Sequence, residues 1–133
     1  MFKKIVLWLW QLPQNVVGFC LTRKPKIIQY YKNVPIYYTK NVFGAGVSLG
    51  NYIVLDVNYY TGHITNSIKH EYGHSRQSLC LGWLYLIVIG LPSVCGNLID
   101  RLFHKNWDIQ KRCRWYYGQP WEKWADKLGV VQR

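Results

Sequence analysis

"IKHEYGHSRQS", Ile68 to Ser78, carries two histidines four residues apart, with a glutamate directly after the first. Thr65 or Asn66 is a plausible N-cap for a helix starting near Ser67, which places His70 and His74 in its first two turns. Residues four apart share one helix face, roughly 6 Å from each other at their bases, so both imidazoles can reach one ion. Glu71 turns to the neighbouring face. From there a carboxylate reaches a metal-activated water without ligating the metal, as a hydrolytic zinc site requires. The competing reading is a polar helix surface with two histidines beside an acid.

Catalytic zinc takes three protein ligands and keeps one position open. The chain has six acidic residues, so the search for the third ligand is short. Glu122 and Asp126 stand i, i+4 in "PWEKWADKLG", a helix opened by Pro120 and closed by Gly129. Glu122 could bind the ion while Asp126 accepts a hydrogen bond from a ligand histidine and fixes its tautomer. Asp100, His104 and Asp108 are also spaced by four, but read as an ordinary polar face.

"HEYGH" followed by "EKWADKLG" resembles the H-E-x-x-H, E-x-x-A-D-x-x-G pattern of gluzincin metallopeptidases, the group that includes the CAAX-prenyl endopeptidase and HtpX. Glu122, Ala125, Asp126 and Gly129 match in spacing, and the likeness covers two short helices. It implies Zn2+ held by His70, His74 and Glu122, a general base at Glu71, support from Asp126, and a minimal zincin-like fold. Peptide-bond hydrolysis would follow, with Glu71 taking the proton of the attacking water and passing it to the leaving amine. Tyr116, Tyr117, His63 and His104 are candidates by residue type for stabilising the oxyanion or binding substrate.

Upstream, "KIIQYYK", "VPIYYTK" and "NYIVLDV" read as three strands, joined through Lys32-Asn33 and through the glycine-rich "FGAGVSLGN". Their short spacing favours a small antiparallel sheet. The glycine-rich stretch could present an edge to an extended peptide or could be a simple hairpin connection. The fold class expected is therefore α+β. A small sheet, the H-E-x-x-H helix, an apolar helical hairpin and a C-terminal ligand helix make up one domain over residues 25–133, behind an apolar N-terminal helix over 1–24.

That N-terminal stretch has the basic start and apolar run of a secretion signal, yet Gln11, Pro13, Gln14 and Asn15 interrupt it and no small-x-small cleavage site follows. It suits either a segment lying at a membrane interface or a helix packed on the domain. Gln77 to Ile99 contains no charged side chain and is long enough to cross a bilayer. A single crossing would put His74 and Glu122 on opposite sides, so it and the metal site exclude each other. A break around Gly90 to Ser93 returns the chain, either as a re-entrant hairpin or as two core helices.

The net charge of +11 attracts polyanions. Anionic lipid at a membrane surface is the expected partner, with the site on the cytoplasmic side, and a soluble cytoplasmic protein is the alternative. "KRCRWYY" interleaves cations and aromatics as a single-strand nucleic-acid surface does, but no nucleic-acid fold motif accompanies it and none is expected to bind. A non-catalytic membrane or partner-binding module stabilised by metal is the rival from a different class. Cys20, Cys80, Cys95 and Cys113 lack any Cys-x-x-Cys pairing and read as buried thiols in a reducing compartment.

Overall fold

The computed structural model describes residues 1–23, 27–40, 42, 45–59 and 65–133. Among them are four strands, β1 (Ile27–Tyr31), β2 (Val34–Thr39), β3 (Gly46–Leu49) and β4 (Tyr52–Asp56), and six α-helices. The helices are α1 (Phe2–Trp10), α2 (Leu12–Leu21), α3 (Asn66–Leu81), α4 (Leu91–Phe103), α5 (Ile109–Tyr117) and α6 (Pro120–Gly129). The architecture is mixed α+β.

The strands form one sheet in the order β1-β2-β4-β3. Lys32 and Asn33 both take positive φ, the two-residue turn that matches the twist of an antiparallel hairpin, and join β1 to β2. The sheet is not wholly antiparallel as the sequence suggests, because β2 and β4 pair in parallel. The reason is a fourth strand: the glycine-rich stretch pairs as β3 along one side of β4, and only the other side is left for β2. Gly50 makes the β3–β4 turn at φ +65°, and the Asn51 amide donates to the Asn15 side chain at 2.9 Å. Ile36, Tyr38, Ile53 and Leu55 of the sheet pack with Ile68 of α3 to form the core.

Helix α3 begins where the capping argument places it, with the Thr65 hydroxyl accepting from the Ile68 amide. It ends at Gly82, whose φ of +54° turns the chain against the Trp10 ring. That is the reversal the apolar segment needs. It does not fall around Gly90 to Ser93, where the helix continues: a π-helical turn over Leu86–Gly90 runs into α4, and Pro92 occupies its first turn, where a missing N–H is tolerated. Nor is this segment core, since 11% of Leu86–Phe103 is buried.

The N-terminal segment is two helices meeting at Gln11. They dock through polar groups: Gln14 donates to Ser78 Oγ and to the Gly82 carbonyl, each at 2.9 Å, and Ser78 donates to Gln11 at 2.7 Å. The four cysteines are free thiols, but each is exposed and not buried as the sequence suggests. Their apolar sequence neighbours are themselves largely on the outside.

Candidate metal centre

Helices α3 and α6 approach closely in antiparallel fashion, and glycine sets the distance. A Cβ on Gly73 would collide with the Ala125 carbonyl, and one on Gly129 with the Lys69 carbonyl. One turn further on, Gln77 Nε2 donates to the Trp121 carbonyl at 2.8 Å. The rungs Lys69–Gly129, Gly73–Ala125 and Gln77–Trp121 fix the register of the two helices. In that register Glu122 and Asp126 face the histidines.

Glu122 Oε2 lies 3.0 Å from His70 Nε2 and 3.1 Å from His74 Nε2, and the two nitrogens are 3.1 Å apart. All three side chains are buried, Glu122 completely. At metal–ligand distances of about 2.0–2.1 Å, donors around a tetrahedral ion stand about 3.3 Å from one another, so this triangle needs only slight spreading to hold one. The group could hold a metal ion.

Each ligand is oriented from behind. His70 Nδ1 is 2.6 Å from Asp126 Oδ1, so Nδ1 keeps its proton and Nε2 is the nitrogen turned toward an ion. Arg133 in turn donates to Asp126 Oδ2 at 2.7 Å and stacks over the Tyr117 ring. His74 Nδ1 is held by Gln77 Oε1 at 2.7 Å. Glu122 Oε1 accepts from Ser93 Oγ at 2.6 Å. Of these supports only Asp126 is found from the sequence pattern. Gln77 stands three residues after His74 on the same helix face, a spacing that could have revealed it. Ser93 and Arg133 carry no such mark.

Burial alone would lower the pKa of His70, but hydrogen bonds to Asp126 and Glu122 and the charge of Glu71 outweigh it and raise the value to about 9. Burial would likewise raise Glu122, yet the hydrogen bonds of His70 and His74 hold it well below the usual carboxylate range. Without metal the centre therefore stores a proton on His70 between two carboxylates.

His70 and His74 of the triad line a cleft of about 860 Å³ bounded by α2, β3, α4 and α5. Glu71 lines it and is 7% exposed, with its pKa raised by burial against the lowering effect of the two histidines. Gly46 of β3 comes so close that a Cβ there would touch Glu71 Cγ at 3.3 Å.

The oxyanion candidates separate. Tyr116 and Tyr117 line the cleft. Tyr117 sets its ring edge-on to His70 with centroids 5.1 Å apart. Asn97 donates to the Tyr116 oxygen at 2.8 Å, the Tyr116 hydroxyl also hydrogen-bonds the Glu122 carboxylate, and burial raises the pKa of that phenol far above its ordinary value. His104 is not among the lining groups and stacks on Trp107. His63 lies outside the described residues. Asp100 and Asp108 form no second metal group with His104, because Asp100 pairs with Arg112 at 2.6 Å and Asp108 caps α5.

Comparison of this chain with protein-family models, with curated proteins and with solved structures found no match.

Proposed function

We propose that this protein is a zinc-dependent endopeptidase of the gluzincin type, a minimal zincin-like relative of the CAAX-prenyl endopeptidase and HtpX, working at the cytoplasmic side of a membrane. The observation that carries this reading is the convergence of His70 Nε2, His74 Nε2 and Glu122 Oε2 within 3.1 Å beside the buried carboxylate of Glu71. Two imidazoles and one carboxylate are a donor set found in catalytic zinc sites, whereas structural sites are richer in cysteine.

Zinc held there supplies Lewis acidity and an acidified water. The chain's own groups do the rest. Glu71 accepts the proton of the attacking water and returns it to the departing amine, and burial keeps its basicity above that of an ordinary carboxylate. Tyr116, whose phenol stays protonated and lines the cleft, turns its proton from Glu122 to the developing oxyanion. β3 is an edge strand that lines the cleft, so an extended peptide can add along its open side, where Gly46 permits approach to Glu71.

The test has two measurements. Elemental analysis should give near one zinc per chain, lost in Glu122→Ala. Cleavage of a quenched-fluorescence peptide library should disappear in Glu71→Gln while zinc stays. Zinc without any cleavage would favour a metal-stabilised binding module.

A further inference from the structure

Three of the helices are built inside out. On α2 the completely buried side chains are Gln14 and Asn15, while Val16, Val17, Phe19 and Leu21 are exposed. From the π-helical turn through α4, the exposed large apolar side chains are Ile87, Val88, Leu91, Val94, Leu98, Ile99, Leu102 and Phe103, and the exposed charged group among them is Arg101 in the last turn. The inward positions include Ser93, Asn97 and Asp100, which bond Glu122, Tyr116 and Arg112. On α1 no residue is buried. Water rewards the opposite arrangement, with apolar groups in and polar groups out. An apolar exterior of this extent marks an interaction surface.

The turn that starts the apolar helix is tied to α1. Trp10 donates its indole N–H to the Leu79 carbonyl, and Trp83, at the turn that starts the apolar helix, donates to the Leu9 carbonyl, each at 2.9 Å. Cations stand near the helix ends, Lys3 and Lys4 at the start of α1, Arg23 after α2, Lys105 after α4 and Lys111 on α5, in a chain of net charge +11. Apolar groups with basic margins and tryptophans match a bilayer with anionic headgroups.

The helix is long enough to span, at 18 residues or roughly 27 Å. Its partners argue against spanning. Along its whole length the inner side is tied to the polar part of the protein: Tyr85 to the Ser48 carbonyl of β3, Ser93 to Glu122, Asn97 to Tyr116, Asp100 to Arg112. Crossing the membrane would carry that ion pair, the metal centre and a strand edge into hydrocarbon, where unsatisfied polar groups and charges are costly.

We infer that the outward faces of α1, α2 and α4 form one surface embedded in an anionic bilayer, with α4 lying in the membrane plane and not across it. Val17, Leu21, Leu91 and Val94 are both exposed and part of the cleft lining, so the mouth of the cleft meets lipid. This inference does not depend on hydrolysis.

The full chain should float with vesicles of phosphatidylcholine and phosphatidylglycerol. Ile87→Glu/Leu98→Glu alters neither the triad nor the cleft and should lower the bound fraction by about tenfold or more. Its circular dichroism and zinc content should stay unchanged, which separates lost docking from lost folding. Equal flotation of the variant, or a wild-type chain that stays in solution as a dimer broken by the same substitutions, would overturn the surface. For orientation, an environment-sensitive fluorophore is placed singly at Cys95 in the Cys20→Ser/Cys80→Ser/Cys113→Ser background, and at Ile87→Cys and Leu102→Cys with Cys95→Ser added. Quenching by depth-graded spin-labelled lipids should report similar depths for all three. A progression from one headgroup region to the other would mean a spanning helix and sink the in-plane arrangement.

Discussion

Ser93 Oγ donates to Glu122 Oε1 at 2.6 Å, and this bond decides which oxygen of the carboxylate faces the histidines. With Oε1 engaged, Oε2 alone sits 3.0–3.1 Å from both imidazole nitrogens. The apolar helix thus reaches the metal centre through the Ser93 hydroxyl. Ser93→Ala removes the bond that fixes the orientation of this buried carboxylate. Zinc affinity should fall by about 10–100-fold, the usual cost of losing a group that orients a ligand, while the fold is retained. Competition with a chromophoric chelator measures it, and unchanged affinity would show that Glu122 is oriented without the serine.

A metal ion that binds at His70 has to displace the proton there. With its pKa raised to about 9, that residue is charged at pH 7 in the metal-free chain, so zinc binding should release about one proton. Calorimetric titrations in buffers of different ionisation enthalpy count it. Affinity should rise about tenfold per pH unit up to pH 9 and then level. The stability of the metal-free chain follows the same group. A raised folded-state pKa means the native state holds more protons than the unfolded one, whose histidine titrates near 6.5. The stabilisation is full below that value and is lost as pH rises toward about 9. Melting of the chelator-treated chain across this window should show the decline.

Gly73 and Gly129 are predicted to matter through the space they leave. Gly73→Ala places a methyl group against the Ala125 carbonyl, which belongs to backbone and cannot swing aside. Overpacking of this kind costs about 1–3 kcal/mol. The strain acts on the α3–α6 distance, so zinc affinity should fall together with the melting temperature. A surface control such as Lys123→Ala should move neither.

How much of this was legible in the sequence depends on whether the determining contacts are local. The pairing of His70 with His74 and of Glu122 with Asp126 follows from helical periodicity, and the Thr65 cap from its position ahead of the run. Convergence of the two helices was suggested by motif resemblance, but its physical cause is long-range: the rungs at Gly73 and Gly129 that no local pattern displays. The parallel β2–β4 pairing was missed for the same reason, since β3 is specified by the free edge it completes and not by strong strand residues. Gly90 and Pro92 read as a break because a local rule was applied where a π-helical turn absorbs them. The actual reversal rests on Gly82 fitting against Trp10, seventy-two positions earlier in the chain.

Glu71 offers the sharpest division between an enzyme and a metal-stabilised module. Its carboxylate lines the cleft but stands outside the triangle of donors, so Glu71→Gln removes a base and leaves every ligand and every group that orients one. Loss of a general base costs about 10²–10⁴ in rate, so peptide cleavage should fall by that factor with zinc content and melting temperature held. The pH dependence adds a readout that a structural role would not move. The reaction needs Glu71 ionised, and burial raises its pKa, so kcat/KM of the zinc-loaded wild type should decline as pH falls through that pKa. Residual activity in Glu71→Gln should lack this acidic limb. If the variant cleaves at the wild-type rate, or keeps the same limb, the proton acceptor is another group and Glu71 serves only to pack β3 against α3.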